Sequence, residues 1–307
     1  MTNMKMGAHV ASIKTAEASS VARYAFVEVK AFGDLTVTAR TLRDLPRDAL
    51  ARCALVVAPH LTDLVNALAP SCTVETLALS DDRLPAIFDL KARGLPAGIG
   101  SALSLRRALS GAAKGATLVL PRAHRRERFI AGGRPMAVLP PAENVYVAQE
   151  QFVARYLTSA PVACVPRASA AHKRIAFCLY SRVAAKNVPL DLAIALSDLC
   201  AKSGFEAEFL LLDGEHLDGA ERLNTRRVPR RFDALASALA DYAGVLSADS
   251  LPAHLAEYCG TPAFVASPVS NRYWLPADAF KQDHWGVFGQ RDELFARFQR
   301  FLDMVKP

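Results

Sequence analysis

Apolar residues along this chain fall into short runs, some crossed by single polar residues, separated by longer stretches in which they recur every three or four positions. Runs of that kind predict buried strands, and the intervening period predicts amphipathic helices. Residues 26–31 form the first run, which breaks at a tight turn, Gly33-Asp34, before a helical pattern over 35–45. Residues 54–59 with 61–68 repeat the unit, 74–79 supply a third strand, 84–109 are mostly helical and 116–120 form another strand. A helical segment over 147–157 closes this half.

The alternation then restarts. Strands are predicted over 174–180, 208–212, 244–247 and 261–266, with helices over 189–202, 232–242 and 252–258 and a last helix over 292–304. Strands alternating with helices imply parallel sheets. The expected fold is therefore α/β, with two Rossmann-like domains. Residues 1–23 are expected to be a flexible tail and 24–160 the first domain. Pro161, Pro166 and their small neighbours predict a linker over 161–173, and 174–307 the second domain, whose last helix is free to pack across either half.

Composition narrows the class. At 307 residues, 51% hydrophobic and 22% charged, the chain is neither disordered nor coiled-coil. Its six cysteines are far apart, with no CxxC pair and no histidine at ligand spacing, which predicts buried thiols and no metal site. The N-terminus lacks an apolar signal core and no run is long enough to span a bilayer, so a cytoplasmic location is expected. A net charge of +7 suits an anionic substrate or an anionic membrane surface. Nucleic acid is disfavoured, because the 8% of aromatic residues do not interleave with the basic ones.

In a parallel α/β sheet, ligands bind beyond the carboxyl ends of the strands, so the strand-to-helix turns are the candidate sites. Gly33 permits close approach of a ligand, and Asp34 beside it is either a general base or a helix N-cap. Ser181, Arg182 and Lys186 follow the first strand of the second half, where a hydroxyl and two cations near a helix start suit phosphate or are simply solvated. Asp213 and Glu215 offer acceptors for ribose hydroxyls. Asp249, Ser250 and His254 open a later helix, either around an anion or as a cap with the histidine packed beneath it. Arg122, Arg125, Arg126 and Arg128 follow a first-half strand and face an anionic acceptor or solvent. Asp81-Asp82 reads as a solvated turn, and no strand precedes a G-x-G-x-x-G, which disfavours a dinucleotide oxidoreductase.

Residues 233–266 (DALASALADYAGVLSADSLPAHLAEYCGTPAFVA) resemble the donor-site segment of the lipopolysaccharide heptosyltransferases, glycosyltransferase family 9. Residues 181–189 are similar to that family's phosphate loop, and 26–45 to its N-terminal strand, Gly-Asp turn and helix. The resemblance implies a GT-B fold, two Rossmann-like domains facing a central cleft, and inverting, metal-independent transfer from a nucleotide-diphosphate sugar similar to ADP-heptose. It implies no cofactor beyond that co-substrate. On it, Asp34 is the base, Ser181, Arg182 and Lys186 hold the diphosphate, and Asp249, Ser250 and His254 bind sugar and phosphate, with Glu215 or Asp213 on the ribose. The acceptor implied is an anionic or lipid-linked glycan, near Gly33 and the four arginines, with peripheral contact at the inner membrane. Leu251 stands where the family pattern has glycine, and the alternative is a GT-B-like binding or scaffold protein that has lost turnover.

Overall fold

The computed structural model describes residues 23–158, 173–217 and 222–306. The predicted tail and linker, 1–23 and 161–173, lie outside the described residues except at their last positions. The first half runs β1 (Tyr24–Glu28), α1 (Phe32–Arg43), α2 (Arg47–Leu50), β2 (Cys53–Val57), α3 (Thr62–Leu68), β3 (Thr73–Thr76), α4 (Leu90–Gly111), β4 (Thr117–Leu120), α5 (Arg125–Ala131), β5 (Met136–Val138) and α6 (Val145–Tyr156). The second runs β6 (Arg174–Cys178), α7 (Leu190–Lys202), β7 (Glu206–Leu212), β8 (Thr225–Val228), α8 (Phe232–Ala240), β9 (Gly244–Ala248), α9 (Leu251–Cys259), β10 (Ala263–Ser267), α10 (Ala277–Lys281), β11 (Trp285–Val287) and α11 (Arg291–Val305).

Each half builds one parallel sheet, in the orders β3-β2-β1-β4-β5 and β11-β10-β9-β6-β7-β8. Both are Rossmann orders. The chain leaves β1 toward β2 on one side and β4 enters on the other, and β6 and β9 stand in the same relation. Those two reversals open a crevice at the carboxyl edge of each sheet, where this architecture binds ligands. The central strands β2, β9 and β10 are buried along their whole length, as expected for strands covered on both faces.

Three large apolar layers pack against the two sheets. Leu105 and Leu109 of α4 pack on Ala25, Val27 and Leu118 on the outer face of the first sheet. Phe298, Phe301 and Leu302 of α11 pack with Phe177 and Phe264 on the outer face of the second. The last helix thus stays with its own sheet and does not cross. The inner layers fuse: Phe26, Leu35, Leu42 and Phe152 share one core with Leu235, Leu239, Leu255 and Ala256. Within that core Arg40 and Glu257, 10% and 6% exposed, pair at 3.1 Å across the domain boundary.

Two details differ from the sequence pattern. The turn after β1 falls at residues 29–31, so Gly33 and Asp34 lie in the first turn of α1. The basic stretch after β4 forms α5, beside which Arg134 donates to the carbonyls of Leu109 and Ala112 at 2.6 Å, satisfying the C-terminus of α4. Cys53, Cys72, Cys178, Cys200 and Cys259 are free thiols, and burial pushes Cys53, Cys178 and Cys200 up to about 12. Cys164 lies outside the described residues.

Candidate active site

The two crevices face each other across a cavity of about 770 Å³. One wall is the β1–α1 segment, with Lys30, Phe32, Gly33 and Asp34; the other comes from β6, β7, α8 and the β9–α9 turn. Phe32 and Phe232 meet across it, with ring centroids 5.0 Å apart. Its volume lies within the range of small-molecule sites.

Asp34 sits in the first turn of α1, whose N-cap is Ala31, so the carboxylate does not cap the helix. It faces both the main cavity and a smaller one lined by Glu28, Val119, Leu139, Gln149 and Trp274. Burial pushes its carboxyl up to about 6, against the opposing pull of Lys30 and Arg122. Glu28 is driven further, to about 8, by burial and then by Asp34, although Thr38 donates to its Oε1 at 2.6 Å. Thr38 in turn accepts from Gln149 at 2.8 Å. At neutral pH this leaves Glu28 protonated and Asp34 mostly ionised, a carboxylate poised to accept a proton.

On the opposite wall, Lys186 donates to Asp249 Oδ2 at 2.8 Å, and Asn271 donates to the same oxygen at 3.0 Å. Ser181 and Arg182 line the cavity beside them, the hydroxyl of Ser181 accepting from the Val183 amide at 3.3 Å. Ser250 occupies the N-cap position of α9, but its hydroxyl donates to the Tyr180 carbonyl at 3.3 Å and does not cap the helix. The first turn of α9 therefore presents its positive end to the cavity through Ser250, Leu251 and Pro252. Leu251 needs no special backbone conformation, and its side chain packs against the shared core.

His254 is buried between the domains. Its Nδ1 lies 3.0 Å from the Tyr146 hydroxyl, and burial lowers the imidazole to about 4. A neutral ring offers an anion a hydrogen bond and no charge. Glu215 lines the cavity near Arg230, 3.8 Å away, and accepts from the Leu212 amide at 2.9 Å; Asp213 contributes only its carbonyl, to Arg230 at 2.8 Å.

The structure thus brings together Gly33, Asp34, Ser181, Arg182, Lys186, Glu215, Asp249, Ser250 and His254 around one cavity. The four arginines after β4 separate. Arg122 stands near Asp34 and over the Tyr273 ring, at 5.8 Å. Arg125, Arg126 and Arg128 lie outside the cavity lining on α5, exposed to solvent, with Arg126 on Glu127 and over Phe88. Asp81 pairs with Arg83 and Arg93 in an exposed turn. Among the described residues no group of three His, Cys, Asp or Glu is placed to hold a metal, and no helix is long and apolar enough to cross a membrane.

Several lining residues have no sequence signal of their own. Asn271 and Trp274 arrive on a loop anchored by Asn144, which donates to the Leu275 carbonyl at 2.9 Å. Arg230 and Arg231 sit in a conspicuously basic stretch, and Lys30 lies near the end of the first run; in the sequence neither feature points to the site, and the fold places all three on the cavity.

Facing Rossmann sheets with a cleft between them define the GT-B class, and comparison with solved structures agrees. The chain is similar to the glycosyl transferase family 9 protein of Veillonella parvula, with a TM-score of 0.58 and 13% identity over 90% of this chain and 88% of that one. It is similar to the E. coli heptosyltransferase WaaC, solved with ADP, at 0.59 and 14% over 92% and 100%, and to the E. coli ADP-heptose lps heptosyltransferase II at 0.51 and 14% over 92% and 99%. No family model and no curated protein sequence matches the chain. At these identities the likeness establishes the GT-B fold of the heptosyltransferases.

Proposed function

We propose that this protein is an inverting glycosyltransferase that needs no metal and moves a heptose-like sugar from a nucleoside diphosphate to an anionic saccharide. The observation that carries this is the cavity itself, which sets one ionisable carboxylate, Asp34, across from Arg182, Lys186 and the start of α9. Five basic side chains, Lys30, Arg182, Lys186, Arg230 and Arg231, line it against three carboxylates, Asp34, Glu215 and Asp249, a balance that favours an anion.

Asp34 takes the proton of the acceptor hydroxyl as its oxygen bonds to the anomeric carbon. The bond from that carbon to the diphosphate breaks on the opposite side, and the electron pair leaves on the phosphate. Lys186, Arg182 and the α9 N-terminus stabilise the charge that collects there, so no metal is required. Lys186 then shares its protons between Asp249 and the phosphate. Glu215 accepts from the ribose, and Ser181, Ser250 and neutral His254 add hydrogen bonds. Arg122, beside Asp34, meets the negative groups of the acceptor. The ADP bound by WaaC supports an adenosine diphosphate donor. A lipid-linked acceptor, met in the cytoplasm at an anionic membrane surface, suits the net charge of +7.

Leu251 at the cavity edge favours a second reading, a binding protein of the same fold without turnover. Asp34→Asn separates them. For the enzyme, transfer falls by roughly 10²–10⁴-fold while ADP still raises the melting temperature. A wild-type protein that binds ADP yet transfers nothing from any ADP-sugar supports the second reading.

A further inference from the structure

We infer that a single bound water, held by Glu28 and Gln149, anchors Asp34 from behind, which makes Glu28 a positioning residue for the proposed base. Its purpose rests on the reading of Asp34 as that base; its geometry does not. Asp34 and Trp274 line both cavities, so the carboxylate divides a ligand-sized space from a nook of about 20 Å³. That volume admits a water and nothing larger. Val119, Leu120, Leu139 and Val145 form an apolar wall, into which Glu28 and Gln149, 9% and 4% exposed, bring polar groups. Among the described residues Gln149 Oε1 has no hydrogen-bond partner, although it is fully enclosed. A buried acceptor left so is costly, and a polar nook of this size is where buried waters sit.

Hydrogen-bond direction sets what that water does. Gln149 donates from Nε2 to Thr38 at 2.8 Å, and Thr38 gives its own proton to Glu28 Oε1 at 2.6 Å. Glu28 makes no ion pair among the described residues, and a carboxyl buried without a cation favours its neutral form. With Oε1 already accepting, the proton sits on Oε2. The water accepts from that O–H and has two protons to give, one to Gln149 Oε1 and one to Asp34. The ring then closes with every polar group paired.

One oxygen of Asp34 is thereby held in place while the other stays free for the acceptor hydroxyl. The bond from the water also favours the ionised carboxylate, the form that accepts a proton. Lys30, from the turn after β1, and Arg122, after β4, pull on Asp34 in the same direction. Tyr273, on the loop before α10, stands beside Asp34 and Arg122, Asp34 itself bears on Glu28, and α6 contributes the neutral Gln149.

High-resolution crystallography and carbon-13 NMR of the full chain, both without substrate, test this. A water is expected within hydrogen-bond distance of Glu28 Oε2, Gln149 Oε1 and Asp34. It should remain in Glu28→Gln, whose amide donates where the O–H did, and be lost in Glu28→Met, an unbranched side chain with no donor. With labelled aspartate, the titration midpoint of Asp34 near 6 is expected to hold in Glu28→Gln and to rise by about one pH unit in Glu28→Met. Where transfer is measured, Glu28→Met should lower kcat by roughly 10–100-fold at unchanged KM, and Glu28→Gln should recover most of it. No water at this place in the wild type, Glu28 turned onto Lys30 or Arg122, or equal Asp34 midpoints in the two variants would each overturn the inference. The first two are read on the wild-type chain and decide the matter even if Glu28→Met does not fold. A chain that shows the water and the shifted midpoint yet transfers nothing overturns the enzyme reading alone.

Discussion

The imidazole of His254 stands where a side chain at Gly33 would go: a Cβ on Gly33 would lie 3.2 Å from Cδ2 of His254. Glycine at position 33 is thus set by close approach between domains, and the residue that follows it is Asp34. Gly33→Val should destabilise the protein by about 1–3 kcal/mol, the usual effect of overpacking. In a His254→Ala background the same change should cost less. A double-mutant cycle read by urea denaturation measures this coupling, and strictly additive effects would show that the two residues do not compete for this space.

Asp34 sets the pH dependence of the proposed transfer. With its carboxyl pushed up to about 6 by burial, the rate should climb as pH rises through 6 and then level, because only the ionised form accepts a proton. Initial rates from roughly pH 4.5 to roughly pH 8 check it, and a midpoint of about 4, the value of a solvated carboxyl, would place Asp34 in water.

Glu28 gives the opposite kind of test, on stability. Its carboxyl rises from 4.5 to about 8 through burial and the neighbouring Asp34, so the unfolded chain releases this proton first. The native state is favoured below 4.5, and that advantage is lost as pH rises toward 8. Glu28→Gln keeps the bond from Thr38 and has no proton to lose. It should therefore raise stability near pH 8 by on the order of a few kcal/mol and change little near pH 4, measured by thermal denaturation at each pH.

Arg40 and Glu257 are a buried ion pair across the shared core. Removing one member leaves a charge without its partner, so Arg40→Met should cost about 3–5 kcal/mol, and adding Glu257→Leu should recover much of it. Chemical denaturation of the two variants distinguishes this from a pair that contributes nothing.

Lys186, 35% exposed, contributes little to the fold by its bond to Asp249. Lys186→Ala should shift the midpoint of unfolding by less than about 1 kcal/mol yet remove most of the ADP-induced stabilisation. An ADP response equal to that of the wild type would place the diphosphate elsewhere.

Apolar runs alone mark the central strands. β1, β2, β4, β6, β9 and β10 lie in the middle of the sheets, and strands covered on both faces must be apolar throughout. Edge strands escape that constraint. Thr225-Arg226-Arg227-Val228 of β8 is mostly polar, and β5 and β11 have three residues each, so none of them marks the chain with a run. Their place comes from backbone hydrogen bonds to a neighbour, for which any side chain serves.

The site divides along the same physical line. Turns at the carboxyl ends of central strands are short and local, so Gly33, Asp34, Ser181, Arg182, Lys186, Asp249 and Ser250 are legible as candidates from strand and helix signals alone. Only the tertiary structure decided that Asp34 faces Glu28, that His254 packs between Gly33 and Tyr146, and that Asn271 and Trp274 reach the cavity. It also moved Arg125, Arg126 and Arg128 onto a helix outside the cavity lining. Local pattern reports whether a residue is buried and what backbone it prefers. Which residues meet depends on how two sheets are set against each other, and that is fixed by packing between positions about a hundred residues or more apart in the chain.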